Sequence, residues 1–204
     1  MDYKELNKLL GNIDVYLLDQ ILKGRFSKDM KILDAGCGEG RNSVYFINEG
    51  YQVYGIDQNE IAIQYCRHLS KSLDPAYDAH RFQVGVMEDI PFHKEAFDAV
   101  ICMAVLHFAK DEANFWQMIQ EMLRVLKPGG TLWFRMCTGF GEILEQSQSL
   151  GNSRYLLPDG SERFVLTKEH MDQFKKFGLE FLEGPKTVLV LDQREMGVFV
   201  MRKE

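Results

Sequence analysis

Two carboxylates and three closely spaced glycines are the residues of this sequence whose types and spacing point to chemistry. Asp34 closes a short apolar run and is followed by Gly36, Gly38 and Gly40 in the segment Lys31–Asn42, KILDAGCGEGRN. Glycine suits a turn that a ligand approaches closely, because without Cβ the backbone takes positive φ freely and leaves room at its surface. A strand ending in such a turn, with a helix starting at Arg41, makes a seat of nucleotide size. Asp57 stands at the end of the next apolar run and is placed to accept hydrogen bonds from both hydroxyls of a ribose.

These residues need elements to hold them. Ile32 and Leu33 read as the end of a buried strand, Arg41–Asn48 as a helix stopped by Gly50, and Gln52–Ile56 as a second strand, which together make one βαβ unit. Asn59–Leu69 predicts a helix, Arg81–Val84 a third strand, and Phe97–Met103 a strand buried on both faces of a parallel sheet. Lys110–Leu126 carries Phe115, Ile119, Met122 and Leu126 on one helical face and is ended by Pro128, Gly129 and Gly130, before a strand at Thr131–Met136. Upstream, Asn12–Leu22 has a helical apolar stripe, which predicts a lid or packing helix within residues 1–30. Strands alternating with helices imply an open parallel sheet with helices on both faces.

The last third departs from that rhythm. Residues 139–166 contain one possible short helix and a turn at Pro158, Asp159 and Gly160, and this length suggests a substrate-side insertion, with a decorative surface loop as the alternative. A helix at Lys168–Phe177 follows. Thr187–Leu191 and Met196–Met201 then flank the polar residues 192–195 as a hairpin, its second strand antiparallel to the rest of the sheet.

A chain of 204 residues, 46% hydrophobic and 26% charged, is sufficient for one domain with a full core, and residues 1–204 are read as that single domain. The net charge of -6, with no basic stripe, argues against a nucleic-acid partner. Cys37, Cys66, Cys102 and Cys137 lie far apart and form neither a metal pattern nor a disulfide framework, so no metal site is expected and a cytoplasmic location fits. No export signal or membrane span is read, so no membrane partner is expected. The oligomeric state is not legible.

The glycine spacing discriminates between ligands. A dinucleotide fingerprint, GxGxxG, would need its third glycine at position 41, where this chain has Arg41, and a carboxylate at Asp34 would repel a pyrophosphate. S-adenosyl-L-methionine (SAM) has no phosphate and carries an ammonium and a sulfonium, which an acid helps to hold. Asp57 serves either ligand.

At these residues the sequence resembles the class I SAM-dependent methyltransferases. ILDAGCGEGRN resembles their first motif, VYGIDQN the second, MEDIPF the adenine-side segment, FDAVICMAVLHF the fourth-strand motif and LRVLKPGG the helix end before strand five, all in family order. The stretch from Gly36 to Asp57 is also similar to small bacterial methyltransferases of the tellurite-resistance type. The resemblance implies a Rossmann-like, mostly parallel seven-stranded sheet. It further implies SAM as donor, S-adenosyl-L-homocysteine as product, and cofactor contacts from Asp34, Gly36, Cys37, Gly38, Gly40, Asp57, Gln58, Met87, Glu88, Cys102 and Met103. One departure stands out. Val86 occupies the place where many relatives have an acid that accepts from the adenine amino group, and Glu88 is the candidate replacement, with capping of the turn before Pro91 as its alternative.

Other residues have open readings. His107 is a candidate general base or a packed turn residue, and Arg135 pairs with an acid or reaches an anionic substrate. Tyr16, Arg41, Arg154 and Tyr155 are substrate-side candidates, Tyr16 as a lid aromatic or a packing residue and Arg41 as a carboxylate binder or a solvated first-turn residue. The turn after Phe97–Met103 lacks an Asn-Pro-Pro-Tyr type motif and no cysteine precedes a proline, which leaves a small-molecule acceptor favoured. A non-catalytic SAM-binding interaction or sensing module, and a nicotinamide-dependent oxidoreductase, remain as alternatives.

Overall fold

The computed structural model describes residues 2–204; Met1, the first residue of the expected N-terminal lid, lies outside them. The chain opens with two short helices, α1 (Tyr3–Leu10) and α2 (Val15–Leu22). The first was not expected. Asp2 caps it by accepting from the Lys4 and Glu5 N–H groups, while Glu5 reaches back to the Asp2 N–H, so local hydrogen bonding starts a helix whose residues are all outside the core. Asp14 caps α2.

Strands β1 (Lys31–Ala35), β2 (Gln52–Asp57), β3 (Phe82–Val84), β4 (Phe97–Met103) and β5 (Leu126–Cys137) alternate with helices α3 (Val44–Asn48), α4 (Glu60–Leu73) and α5 (Glu112–Val125). Three elements differ from the periodicity, one of them β5, which begins at Leu126 and takes in the Pro128, Gly129 and Gly130 expected as the break before it. The helix expected from Arg41 becomes regular only at Val44, because the Asn42 Oδ1 accepts from the Asp14 N–H and the Ser43 hydroxyl donates to Asp34, holding those residues in a turn. Helix α4 runs on to Leu73, beyond the apolar stripe that ended at Leu69, with Ser70 fully buried on it.

The insertion is neither a loop nor a lone helix. After a short 3-10 turn at Glu142–Gln146, β6 (Gln148–Gly151), β7 (Arg154–Leu156) and β8 (Glu162–Phe164) form a separate antiparallel sheet, in the order β6-β7-β8. The chain then returns through α6 (Lys168–Lys176) to β9 (Leu179–Val190) and β10 (Arg194–Lys203). Strand β9 begins eight residues before the expected run, where Leu179 and Phe181 pack against the core.

The main sheet has seven strands in the order β3-β2-β1-β4-β5-β10-β9, parallel through β5, with β10 antiparallel to both β5 and β9. Alternate residues of each strand supply the two cores. Leu33, Val100, Leu132 and Phe134 meet Phe115, Ile119 and Met122 of α5, while Ile32, Val53, Ile101 and Trp133 meet Leu17, Phe46 and Ile63 of α2, α3 and α4. Connections leave β1 and β4 in opposite directions across the sheet, which opens a crevice beyond their carboxyl ends. Asp34 and Met103 stand at that edge.

Candidate active site

A cavity of about 600 Å³ opens at the carboxyl ends of β1, β2 and β4. Its floor includes Gly36, whose φ of +76° permits a turn that a side chain would obstruct: a Cβ there would lie 2.4 Å from Val105 Cγ2. The Gly36 and Cys37 N–H groups both donate to the Ile56 carbonyl, so the glycine turn is bonded to the end of β2. Gly38 has a φ of +53° and open space where its Cβ would stand. The loop is bare on the side that a ligand approaches.

Asp57 is positioned from both sides. Its Oδ2 accepts from the Gly38 N–H at 2.9 Å and its Oδ1 from the Asn59 N–H at 2.9 Å, which leaves one lone pair of each oxygen for a diol. Gln58 borders the cavity next to it. Asn59 continues as the N-cap of α4, accepting from Ile61 and Ala62.

Asp34 is buried behind the loop. Its Oδ2 accepts from Ser43 Oγ at 3.2 Å, and its Oδ1 has no partner among the described residues. Burial pushes its carboxyl up to about 7, against the lowering effect of Ser43 and of the Arg41 charge. An orphaned buried carboxylate oxygen is costly, and a cation seated beside it relieves that cost.

The far wall comes from the segment after β3. Gly85, Val86, Met87 and Glu88 line it, and Asn114 Nδ2 donates to Glu88 Oε1 at 2.8 Å. Asn114 is itself fixed in the first turn of α5, where its N–H donates to Asp111 and its Oδ1 accepts from the Lys110 N–H. The other wall is Met103, Ala104, Val105 and Phe108 from the end of β4 and the turn after it, with Ala104 in the left-handed region and its N–H donating to the Arg135 carbonyl.

Of the residues expected to contact a cofactor, Gly36, Asp57, Gln58, Met87, Glu88 and Met103 line this cavity, while Asp34, Cys37, Gly38, Gly40 and Cys102 are not among its lining residues. Cys66 Sγ approaches the Gly38 carbonyl at 3.1 Å and Cys37 Sγ approaches it at 3.7 Å, so these thiols support the loop from beneath. Burial pushes the Cys102 thiol up, and contact with Cys66 together with burial does so for Cys37, so both stay protonated. Lys110, Asn114 and Met118 were not anticipated. Lys110 precedes α5, the register of Asn114 and Met118 on it resembles an ordinary amphipathic face, and only the packing of α5 beside the segment 85–88 turns them toward the cavity.

The candidate acceptor side lies beyond β4 and β5. Arg135 Nη1 donates to Asp14 Oδ2 at 3.0 Å, and its guanidinium lies 5.5 Å from the centre of the Tyr16 ring. Arg41 reaches the same Asp14 oxygen at 3.9 Å and the Asn12 carbonyl at 3.1 Å. Arg154 is held away by Glu162 at 2.9 Å, and half-buried Tyr155 packs in a small cluster with Cys137, Leu157, Val165 and Met196. His107 is buried, with Nδ1 unpartnered among the described residues. Burial first, then the charges of Arg163, Arg194 and Arg135, hold it down to about 3, so it is neutral across the physiological range.

Residues 33–134, half of the chain, match the family described as Methyltransferase domain. The uncharacterized methyltransferase YodH of Bacillus subtilis is 36% identical over 109 residues, 52% of this chain and 42% of that protein. The ubiquinone biosynthesis O-methyltransferase of Actinobacillus pleuropneumoniae serotype 5b is 32% identical over 130 residues, 62% of this chain and 53% of that protein. The aligned region is thus about half the length of these curated relatives. Among solved structures, a protein from Pyrococcus horikoshii shares the fold with a TM-score of 0.71 and 20% identity over 100% of both chains. A SAM-dependent methyltransferase from Methanosarcina mazei does so with a TM-score of 0.69 and 22% identity, covering 90% of this chain and 96% of that one. With the family's glycine turn, strand-end acids and strand order all in place, the chain belongs to the class I SAM-dependent methyltransferases.

Proposed function

We propose that this chain, as one domain over residues 1–204, transfers a methyl group from SAM to a small-molecule acceptor in the cytoplasm, without a nucleic-acid or membrane partner. The observation that carries the reading is Asp57, held by two backbone N–H groups at the mouth of a bare glycine turn with lone pairs left for a ribose. In this reading Gln58, Met87 and Glu88 border the adenosine, with the second carboxylate oxygen of Glu88 taking the adenine amino group. Asp34 faces the ammonium, and Met103 and the Ala104 backbone border the methionine chain.

Bound SAM supplies an electrophilic methyl group on a sulfonium, and transfer leaves S-adenosyl-L-homocysteine. The residues of this chain mainly position the acceptor. Alignment of two reactants accounts for roughly 7 to 11 kcal/mol of barrier reduction, so no dedicated base is required. That fits His107, which is a neutral hydrogen-bonding group and a weak base. Arg135 and Tyr16 hold α2 over the site.

Thermal denaturation with SAM and with NAD tests the cofactor, since a ligand that binds only the folded state raises the melting temperature by mass action. We expect a shift with SAM alone; a shift with NAD alone restores the oxidoreductase reading. Conversion of added SAM to its demethylated product in a metabolite extract, above a protein-free control, separates the enzyme from a non-catalytic sensing module.

A further inference from the structure

The geometry points to an acceptor that carries a carboxylate, bound by Nη2 of the Arg163 guanidinium where β8 lies over the turn after β4. The inference rests on the methyltransferase reading above and names the substrate class for that site.

Three observations lead to it. Strand β8 pairs Arg163 with Tyr155 of β7, so the two share one face of the small sheet, while Phe164 on the other face stacks on Phe115 at 4.8 Å. That anchoring brings the Arg163 guanidinium 4.7 Å from the centre of the Phe108 ring, a residue of the cavity wall. Arg163 therefore stands on the insertion side of Phe108, next to a wall residue of the cavity and outside its lining.

Its hydrogen bonding is incomplete on one edge. Nη1 donates to the Glu162 carbonyl at 2.7 Å, whereas Nε is buried without a partner, and no carboxylate pairs with this guanidinium among the described residues. Nη2 has no partner and is not shielded in this way, so it is the donor open to a carboxylate oxygen.

The neighbouring cations are disposed differently. Arg194 is paired with Asp159, and Arg135 shares Asp14 with Arg41, so one carboxylate serves two guanidiniums. Of the three cations beside His107, Arg163 alone lacks a carboxylate among the described residues, which leaves its charge uncompensated. A desolvated anion would compensate it.

Calorimetry on the full chain saturated with S-adenosyl-L-homocysteine tests this, using benzoate against benzamide, indole-3-acetate against indole-3-acetamide, and phenyl phosphate against phenol. We expect at least one carboxylate to bind about tenfold or more tightly than its amide, as a charge-assisted hydrogen bond implies. Arg163→Ala should abolish most of that preference, Arg163→Lys should keep part of it, and Arg202→Ala, on an exposed residue of β10, should keep all of it. An unchanged affinity for S-adenosyl-L-homocysteine checks that the Arg163 variants are folded, and Arg163→Lys decides if Arg163→Ala is not. No preference in any carboxylate pair, or a preference intact in Arg163→Ala, overturns the inference. Tighter binding of phenyl phosphate than of either carboxylate overturns the carboxylate assignment in favour of a phosphate. A wild type that does not bind S-adenosyl-L-homocysteine instead overturns the underlying methyltransferase reading.

Discussion

Arg135, at the carboxyl end of β5, donates to the buried carboxylate of Asp14 at 3.0 Å, joining residues 121 positions apart. Asp14 is also the N-cap of α2, accepting from the Tyr16 N–H. One side chain therefore starts α2 and fastens it to the end of β5. Asp14→Ala removes the cap, worth about 1 kcal/mol, and leaves Arg135 partly buried without its carboxylate. We expect a loss of about 2 to 4 kcal/mol in urea denaturation, most of it recovered in the double variant Asp14→Ala with Arg135→Met. No recovery would show that the pair does not act as a unit.

Asp57 has two tasks in this structure, holding the Gly38 N–H and presenting lone pairs at the cavity. Asp57→Ala is expected to weaken SAM by at least about tenfold in calorimetry, corresponding to the roughly 1.5 to 3 kcal/mol of a hydrogen bond to a charged group. Unchanged affinity would place the cofactor elsewhere.

The buried Asp34 carries a pH signature. Its carboxyl is raised to about 7, so the folded chain holds that proton more tightly than the unfolded chain. This group's stabilisation is present in full below about pH 4 and is lost as pH rises through about 7, up to about 4 kcal/mol in total. Asp34→Asn should flatten that part of the stability profile in urea titrations, and an unchanged profile would contradict the burial of Asp34. If the SAM ammonium sits beside Asp34, binding near neutral pH should release a proton, read as a dependence of the calorimetric heat on the ionisation enthalpy of the buffer.

The insertion is part of the core through Phe164, which is fully buried between α5 and α6 and stacked on Phe115. Phe164→Ala should cost about 3 to 5 kcal/mol by thermal or urea denaturation, the range for deleting a buried aromatic ring. A cost below about 1 kcal/mol would make the small sheet a loosely attached lid. Because of this anchoring, removing all of residues 139–166 would open the core, and a test of the insertion's role in turnover must spare β8.

Glu195 of β10 fixes where that insertion begins. Its carboxylate accepts from the Thr138 hydroxyl at 2.7 Å and from the Phe140 and Gly141 N–H groups at 2.9 and 2.8 Å. Glu195→Ala leaves these donors unpartnered at a buried position, and we expect a loss of about 2 kcal/mol or more, with faster proteolysis within 139–161. Equal proteolysis rates would detach the insertion from this anchor.

The sequence by itself determined the glycine turn, its strand-end acids and the framework of the sheet. Asp34, Gly36 and Asp57 are legible because glycine conformations and strand-end acids are local properties, set by residues within a turn of one another. Strand β4 was legible to the residue because an apolar run buried on both faces has no other use in a chain of this composition. The antiparallel β10 was legible from its turn and the continuous apolar run after it.

The rest was decided by tertiary structure. Helix α1 is an exception, since Tyr3, Leu6 and Leu10 stand at helical spacing and Asp2 with Glu5 forms its capping box, so its signals were local although none of its residues is buried. The short strands β6, β7 and β8 find their partners only through pairing across a turn, and Gln148–Gly151 has no apolar alternation to announce it. Lys110, Asn114 and Met118 reach the cavity because α5 packs beside residues 85–88. Asp14 and Arg135, and Arg163 and Phe108, meet across distances in sequence that no periodicity spans. Local conformational chemistry therefore wrote the glycine turn and its acids into the sequence, whereas the charges around Asp14 and His107 were brought together only by folding.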